Sequence, residues 1–322
     1  MDFVNILFNI LTSGLPCCLL AIGVFLTFRI LDFADMTAEG SFLLGAALTA
    51  SLIYNHINPF LATFLGMIVG AGCGLVTGFL NRILKIPKLL SGIITLTASA
   101  SIAMLIMGIT TPGQIFYSQV PLSLSSHQTI YSVFYSSKIS ASLAPFPWNK
   151  LVESLVMIVI VGIMIVTVYY FFGTEFGMAI RATGMNEKMA KSQGINTNIS
   201  SIACVAISNA LIGLAGALYV QDALSVSTVS ATGYLVIGLA SILIGEAIFG
   251  KRSFKNWLLS VSGGALLYFV IITIAIKLGL PTELMSLLYA ILITIALCIP
   301  LFKLGINKLK TKLERGKEHV RT

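Results

Sequence analysis

The chain has 322 residues, of which 57% are hydrophobic and only 10% are charged; its formal net charge is +8 and its mean hydropathy is +0.96. A soluble globular protein carries about 25% charged residues, so this composition excludes a chain that covers itself with a water-soluble surface. We therefore expect an all-α polytopic membrane protein, with apolar runs of about 20 residues that cross about 30 Å of hydrocarbon.

Nine such runs follow one another along the chain. They occupy residues 4–28, 37–54, 60–81, 89–110, 152–172, 202–221, 233–250, 256–276 and 284–302. Each run predicts a transmembrane helix, because backbone polar groups in lipid must be hydrogen-bonded within their own segment. The first run has no basic region before it and no small-residue cleavage site after it, so we expect a retained helix and not a signal peptide.

The Lys and Arg residues set the expected orientation. In the nine-span arrangement, all 20 basic residues except Lys138, Lys150 and Lys277 fall on one side. Cytoplasmic loops carry the excess of Lys and Arg, so this side is cytoplasmic, with the N terminus outside and the C terminus inside. The basic tail 303–322 is then attracted to anionic lipid. The sequence around that tail predicts no folded nucleic-acid-binding surface, so we expect no nucleic-acid partner.

The two halves of the chain resemble each other when one is shifted by 193 positions. Glycines then coincide in four pairs, which are Gly23 with Gly216, Gly40 with Gly233, Gly45 with Gly238 and Gly70 with Gly263. An odd number of crossings separates the halves, so the pattern predicts two inverted four-helix repeats plus a linking helix. The alternative is that both halves only share a membrane-like composition.

This repeat divides a single transmembrane domain into six parts. They are repeat 1 at about 4–110, an external loop at 111–150, the linking helix at 151–172, a cytoplasmic loop at 173–201, repeat 2 at about 202–302, and the cytoplasmic tail at 303–322. Aromatic residues occur throughout the external loop, which is a candidate surface for an outside partner; they are Phe116, Tyr117, Tyr131, Phe134, Tyr135 and Trp148.

Two polar segments interrupt the apolar runs at equivalent places in the repeats, at 32–39 and 225–232. Irregular backbone at membrane depth is tolerated only where protein or a wet cavity surrounds it. The segments are therefore either broken helices that frame a translocation path or ordinary surface loops. Under the first interpretation the candidate path residues are Asp35, Glu39, Thr228 and Thr232. We expect Asp32, Asp35 and Glu39 near the cytoplasmic mouth.

The third and fourth runs carry small or polar residues at helical spacing. Gly66, Gly70, Gly74 and Gly78 recur every four residues, which predicts a close helix–helix contact. Ser91, Thr95 and Ser99 share one face of the fourth helix. That face either lines a path, with Thr95 and Ser99 as candidates, or hydrogen-bonds to neighbouring helices and its own carbonyls.

The sequence shows no site in this chain that would supply the energy for transport. Residues 245–251 fit the first seven positions of the phosphate-binding loop, but Arg252 replaces the required hydroxyl and the match begins inside a span. Glu246 is the one carboxylate well inside a run, and a snorkelling or paired side chain explains it, so ion coupling is disfavoured. The scattered cysteines and histidines predict no metal site and no disulfide framework.

The segment Gly177–Gly194 is a charged island between apolar runs. Thr183 or Gly184 is expected to end one short helix, and Asn186 followed by Glu187 to start another. Met185 and Met189 lie four residues apart on one face, and Gly194 is a C-terminal stop. Such short helices are marginal alone in water, so the island predicts a docking site for a soluble partner. A solvated connector is the alternative.

This island resembles the coupling-helix loop of bacterial ABC importer permeases of the branched-chain amino acid/ribose permease family. The resemblance lies in Gly177-x3-Arg181-Ala182-x-Gly184-x-Asn186-x2-Met189-Ala190-x3-Gly194-Ile195, and the segment Leu20–Ser41 shares it. The version here is most similar to the subgroup paired with lipoprotein-type binding proteins assigned to tryptophan or tyrosine. Unlike larger relatives, this chain is expected to lack an additional N-terminal cytoplasmic helix.

The resemblance implies a type II importer fold in the bacterial cell membrane and two permease copies per complex. It also implies cytoplasmic ATPase subunits that bind ATP and Mg, an external solute-binding protein, and no enzyme activity or cofactor in this chain. The expected ATPase-docking residues are Arg181, Ala182, Gly184, Met185, Asn186, Glu187, Met189, Ala190 and Gly194. The solute is expected to be an amino acid, with an aromatic one favoured; alternatives are a sugar or nucleoside permease and an ion-coupled carrier.

Overall fold

A computed structural model describes residues 2–110, 122–124, 128–134, 148–226 and 233–279, together with residues 287, 290, 291 and 294. The helices are α1 (Asp2–Phe25), continued by a π-helical turn (Leu26–Ile30), α2 (Thr37–Tyr54), α3 (Pro59–Arg82), α4 (Lys88–Thr110), α5 (Ile130–Phe134), α6 (Trp148–Phe171), α7 (Glu175–Met185), α8 (Glu187–Ser192), α9 (Thr197–Ala223), α10 (Tyr234–Phe249) and α11 (Phe254–Lys277).

Six helices in the described part of the chain are long and apolar enough to cross a membrane, which confirms a polytopic membrane protein. They span Ile10–Ile30, Pro59–Arg82, Lys88–Thr110, Lys150–Phe171, Thr197–Ala223 and Phe254–Lys277, and Tyr234–Phe249 is a shorter apolar helix. The first eight apolar runs are all helical, α2 included. The ninth, at 284–302, lies outside the described residues except at four positions.

Polar caps fix where several of these helices begin. The side chain of Asn58 accepts a hydrogen bond from the Phe60 amide, and Pro59 follows at the first helical position of α3. Asn196 caps α9 and Ser253 caps α11 in the same manner. These caps satisfy amide groups that have no partner within the helix, so each long apolar helix starts at a defined residue.

Helix α9 lies at the centre of the bundle and packs against α1, α2 and α3. Most of α1 and α9 is buried, whereas only 28% of the α4 span and 22% of the α6 span are buried. The glycine row of α3 faces α9, as predicted. A Cβ added at Gly74 would lie 2.5 Å from the carbonyl oxygen of Val205, and one at Gly78 would lie 3.0 Å from Cα of Ile202. The two backbones therefore approach closely because the side chains are absent.

A small exception to the all-α prediction involves the outer segment 111–150. Strand β1 (Leu122–Ser123) pairs antiparallel with β2 (Ser225–Val226). Helix α5 packs at the end of α9, where the Ile130 amide donates to Gln221 Oε1 over 2.9 Å. Tyr131 is buried and its hydroxyl donates to the Leu218 carbonyl over 3.2 Å. Tyr131 is therefore not available to an outside partner, whereas the expectation that the segment 111–150 receives such a partner stays a prediction.

Candidate functional site

The charged island folds into the two capped helices that the sequence predicts. Thr174 Oγ1 accepts a hydrogen bond from the Gly177 amide at the start of α7. Helix α7 continues to Met185, slightly beyond the predicted stop at Thr183 or Gly184. Asn186 Oδ1 then accepts from the Met189 amide over 3.1 Å and starts α8. Gly194 has φ +79°, a left-handed conformation that suits a helix stop.

An ion-pair triad ties α8 to the end of α3. Glu187 Oε1 lies 2.8 Å from Nη1 of Arg82 and 3.0 Å from Nζ of Lys191. The hydrogen bond from Lys191, together with the hydrogen bond and charge of Arg82, lowers the pKa of the Glu187 carboxyl to about 2. This carboxyl is therefore ionised at neutral pH, and its charge holds α8 against α3.

Helix α7 is anchored to two other elements. The guanidinium of Arg181 lies over the ring of Phe254, 4.9 Å from its centroid, at the first residue of α11. Gly184 lies so close to the Ile30 carbonyl of the π-helical turn that any side chain there would clash. The α7–α8 loop, by which we mean residues 173–196, therefore rests on the π-helical turn, α3 and α11.

The nine residues that resemble the coupling loop divide into two groups. Met185 and Met189 are 88% and 62% exposed, and Asn186 and Gly194 are exposed as well. Ala190 is buried, while Ala182, Gly184 and Glu187 are partly buried. Arg181 is exposed but engages Phe254. The loop therefore has an anchoring side and a free side, by which we mean its exposed residues, and these include Met185 and Met189. Because Asn186 is extended between α7 and α8, the two methionines lie on separate helices and not on one helix face as predicted.

A buried polar cluster lies where the chain re-enters the bundle between the π-helical turn and α2. Asp35 Oδ1 accepts from the Thr37 amide over 2.9 Å, and its Oδ2 accepts from Asn209 Nδ2 over 2.7 Å. Ser41 Oγ donates to Asn209 Oδ1 over 2.7 Å, and the hydroxyls of Thr37 and Thr77 are 2.7 Å apart. The Thr37 amide and the Asn209 side chain thereby satisfy both oxygens of Asp35, which is 5% exposed.

The beginnings of α2 and α10 meet beside this cluster. Glu39 accepts a hydrogen bond from the Gly233 amide over 3.0 Å. The ring of Phe42 stacks on that of Tyr234, with 4.0 Å between centroids, and Tyr219 completes the aromatic group. This contact joins the two interrupted segments that the sequence pairs, although Thr228 and Thr232 lie outside the described residues.

The three acidic residues of the segment 32–39 lie in different surroundings, and their expected position near the cytoplasmic mouth stays a prediction. Asp32 is exposed at a left-handed turn, with φ +52°. Asp35 lies against Asn209, near the middle of α9, and Glu39 contacts the start of α10. The chain between Asp32 and Thr37 runs into the bundle, because the polar groups of α2, α3 and α9 can satisfy it there.

The predicted polar face of α4 is bonded to its own helix. Thr95 Oγ1 donates to the Ser91 carbonyl over 3.1 Å, and Ser99 Oγ donates to the Leu96 carbonyl over 2.9 Å. Both side chains are buried, and Ser99 lies against Gly40 of α2. Their role as path residues stays a prediction, whereas the alternative of local hydrogen bonding is observed.

Sequence reasoning missed three polar partners and one pairing. Asn209 and Gln221 are polar residues inside the apolar run of α9, a signal that could have drawn attention to them. Asp222 accepts from Ser13 over 3.0 Å. Glu246 is paired, as expected, but with Arg29 of the π-helical turn and not with the basic residues that follow it in sequence. Among the described residues, no cluster of His, Cys, Asp and Glu could hold a metal ion.

The bundle of apolar helices defines the chain as a multi-pass membrane protein. It belongs to the family described as the branched-chain amino acid transport system permease component, whose model matches residues 6–297. The chain is 33% identical over 306 residues to the tyrosine transport system permease protein of Clostridioides difficile (strain R20291), covering 95% of each chain.

More distant relatives carry other names. The chain is 25% identical over 259 residues to the nucleoside ABC transporter permease protein NupC of Lactococcus lactis subsp. cremoris (strain MG1363), covering 76% of this chain and 78% of that one. It is 25% identical over 244 residues to the ribose import permease protein RbsC of Escherichia coli (strain K12), covering 75% and 69%. No solved structure matches the chain significantly.

Membership of this family establishes the general role of the chain. It is a permease subunit of an ABC importer in the cell membrane, and it is neither an enzyme nor a cofactor-binding protein. An ABC permease works with ATPase subunits and a solute-binding protein, as the resemblance implied. The family membership predicted from the residues of the α7–α8 loop and of the segment Leu20–Ser41 is therefore confirmed.

Proposed function

We propose that this permease imports an aromatic amino acid, with tyrosine as the first candidate, and that its ATPase docks on the free side of the α7–α8 loop. The observation that carries the docking site is the exposure of Met185 and Met189 on two short helices whose other side is anchored. Flexible methionines suit a groove that changes shape. Arg181, Gly184, Glu187 and Ala190 then hold the loop on the bundle instead of contacting the ATPase first.

The proposed topology has nine spans in two inverted repeats, with the N terminus outside. Shifting α1, α2 and α3 by 193 positions places them on α9, α10 and α11, with all ends within five residues. One glycine contact repeats as well: Gly45 against Gly213 becomes Gly238 against Leu20 under the same shift. These correspondences support a repeat more strongly than shared composition does.

The proposed complex contains two permease copies, whose facing helices form the path. The exposed faces of α3, α4 and α6 are apolar and suit lipid or a second copy. On α4 these faces include two exposed hydroxyls, at Thr97 and Ser101, each bonded to its own helix. Asp35, Glu39, Thr95, Ser99, Thr228 and Thr232 remain candidates for residues along or beside the path. The segment 111–150 is proposed to receive the binding protein.

The substrate proposal rests on the relative that names tyrosine, which this chain matches over almost its full length. A nucleoside or sugar is the second candidate class, because two more distant relatives carry those names. Competition assays separate the classes: the importer with its own binding protein should take up labelled tyrosine, and excess uridine or ribose should not compete.

A double substitution tests the docking surface. Met185→Asp with Met189→Asp places two charges on the free side, and we expect ATPase co-purification to fall below about a tenth of wild type. Gln193→Asp is the matched control, because it adds a charge at an exposed position in the same loop. Retained co-purification and uptake in the double variant would contradict the proposed docking site.

A further inference from the structure

Four aromatic rings lie directly beneath the α7–α8 loop. Phe25 ends α1, Phe172 precedes α7, and Phe254 and Trp257 belong to the first turn of α11. The ring centroids are 4.8 Å apart for Phe25 and Trp257, 5.5 Å for Phe172 and Phe254, and 6.5 Å for Phe25 and Phe254. Because Arg181 lies over Phe254, α7 contacts this four-ring cluster directly.

An ion pair continues the same chain of contacts. Glu246 of α10 pairs with Arg29 of the π-helical turn, with 2.6 Å between Oε2 and Nη2. Its other oxygen, Oε1, accepts from the indole nitrogen of Trp257 over 2.9 Å. The Glu246 side chain is 12% exposed. One carboxylate therefore joins the π-helical turn, α10 and the four-ring cluster.

From these contacts we infer that the four-ring cluster and the Arg29–Glu246 ion pair transmit movement of the α7–α8 loop to α1 and α10. This inference rests on the proposed docking function of that loop. The contacts form an unbroken path: Arg181 to Phe254, Phe254 to Phe25, Phe25 to Trp257, and Trp257 to Glu246. Phe254 and Glu246 are positioning residues, since they act between the loop and the helices.

The π-helical turn is the element of this path on which we expect the movement to act. The Leu31 amide bonds to the Leu26 carbonyl, five residues back, and Ser208 Oγ donates to the Gly23 carbonyl over 2.7 Å. Single π turns in α-helices are frequent at functional sites. Relaxing this turn to an α-helical one rotates the following residues by about 100°. Arg29 would then leave Glu246, and the Ile30 carbonyl would move away from Gly184.

The test uses the assembled importer in proteoliposomes with its ATPase and binding protein, and measures labelled tyrosine imported per ATP hydrolysed. We expect this ratio to fall about tenfold in Phe254→Leu and several-fold in Glu246→Gln, while ATP hydrolysis continues. Glu246→Gln keeps an acceptor for Trp257 and removes only the charge. Phe64→Leu is the control, because that ring on α3 is 56% exposed and outside the cluster; its ratio should match wild type.

A double variant checks that the two parts act together. If the ring and the ion pair lie on one path, Phe254→Leu combined with Glu246→Gln should lower the ratio little more than Phe254→Leu alone. A wild-type ratio in both single variants, or equal losses of uptake and hydrolysis, would overturn the inference. The proposed function is tested separately in the same vesicles, by whether wild-type uptake requires the ATPase.

Discussion

The contact between α3 and α9 and the α7–α8 loop hold together by different means, although Gly184 of the loop also approaches a backbone carbonyl closely. Between α3 and α9 the backbones touch across glycines, and buried hydrogen bonds satisfy the few polar groups. The loop has two short capped helices, a surface ion-pair triad and two exposed methionines. A close-packed contact tolerates little change, whereas a loop fixed by screened charges can shift. The α3–α9 contact is therefore rigid, and the α7–α8 loop, where a partner is expected, can adapt its position.

The largest effect is expected at the glycine contact. Gly74→Leu would drive a side chain into the Val205 carbonyl and the Ala206 backbone, and we expect a loss of stability of about 3 kcal/mol or more. Thermal unfolding of the detergent-purified permease measures it. Gly72→Leu on the same helix is the control, since nothing lies within 4 Å of an added Cβ there. Equal losses in both variants would show that the close approach is unimportant.

The second-largest effect is expected at the buried polar cluster around Asp35. Asn209→Leu removes the donor to Asp35 and the acceptor of Ser41, which leaves a buried carboxylate oxygen unpaired and costs about 2–3 kcal/mol. The same unfolding assay measures this cost. Asn256→Leu, at an exposed position of α11, should change stability by less than about 0.5 kcal/mol. A neutral Asn209→Leu would mean that water replaces the lost partner.

A smaller effect is expected where the loop meets α3. Arg82→Gln removes the ion pair with Glu187, which is partly exposed and screened, so the cost is below about 1 kcal/mol. Amide hydrogen exchange in α8 should nevertheless quicken several-fold, while exchange in α9 stays slow. Lys85→Gln, an exposed basic residue nearby in sequence, serves as the control and should leave α8 unchanged.

The weakest effect is the pH response of the same triad. Because the pKa of Glu187 is lowered from 4.5 to about 2, its stabilising contribution is complete above pH 4.5 and is lost as pH falls toward 2. Exchange in α8, corrected for the intrinsic rate, should be flat between about pH 5 and 8. In Glu187→Gln the acid-dependent loss should disappear. A change in α8 centred near neutral pH would contradict the assignment.

Much of this architecture was readable from local sequence because the relevant physics is local. Apolar runs long enough to cross a membrane became helices, and Asn58, Asn186 and Asn196 start helices as side-chain caps do. The glycine row of α3 predicted a close helix–helix contact, and the structure shows one with α9. The expected stop of α7 was placed one or two residues too early, since Gly184 is accommodated within the helix against the Ile30 carbonyl.

Other features depended on residues far apart in sequence. Nothing near Glu246 indicates that its partner is Arg29, and nothing near Asp35 indicates that Asn209 will bond to it. Tyr131 looked like a surface aromatic, but α5 folds onto the end of α9 and buries it. Such pairs form only after the helices have packed, so composition and spacing cannot reveal them.

The sequence by itself determined a membrane bundle with a loop of two capped helices, because hydrophobicity and helix capping act over a few residues or a single span. Tertiary structure alone decided which side of that loop is free, where Asp35 and Glu39 lie, and which side chains connect Arg181 to Glu246. Those outcomes depend on how helices distant along the chain fit against one another, and packing of that kind has no signature in any one segment.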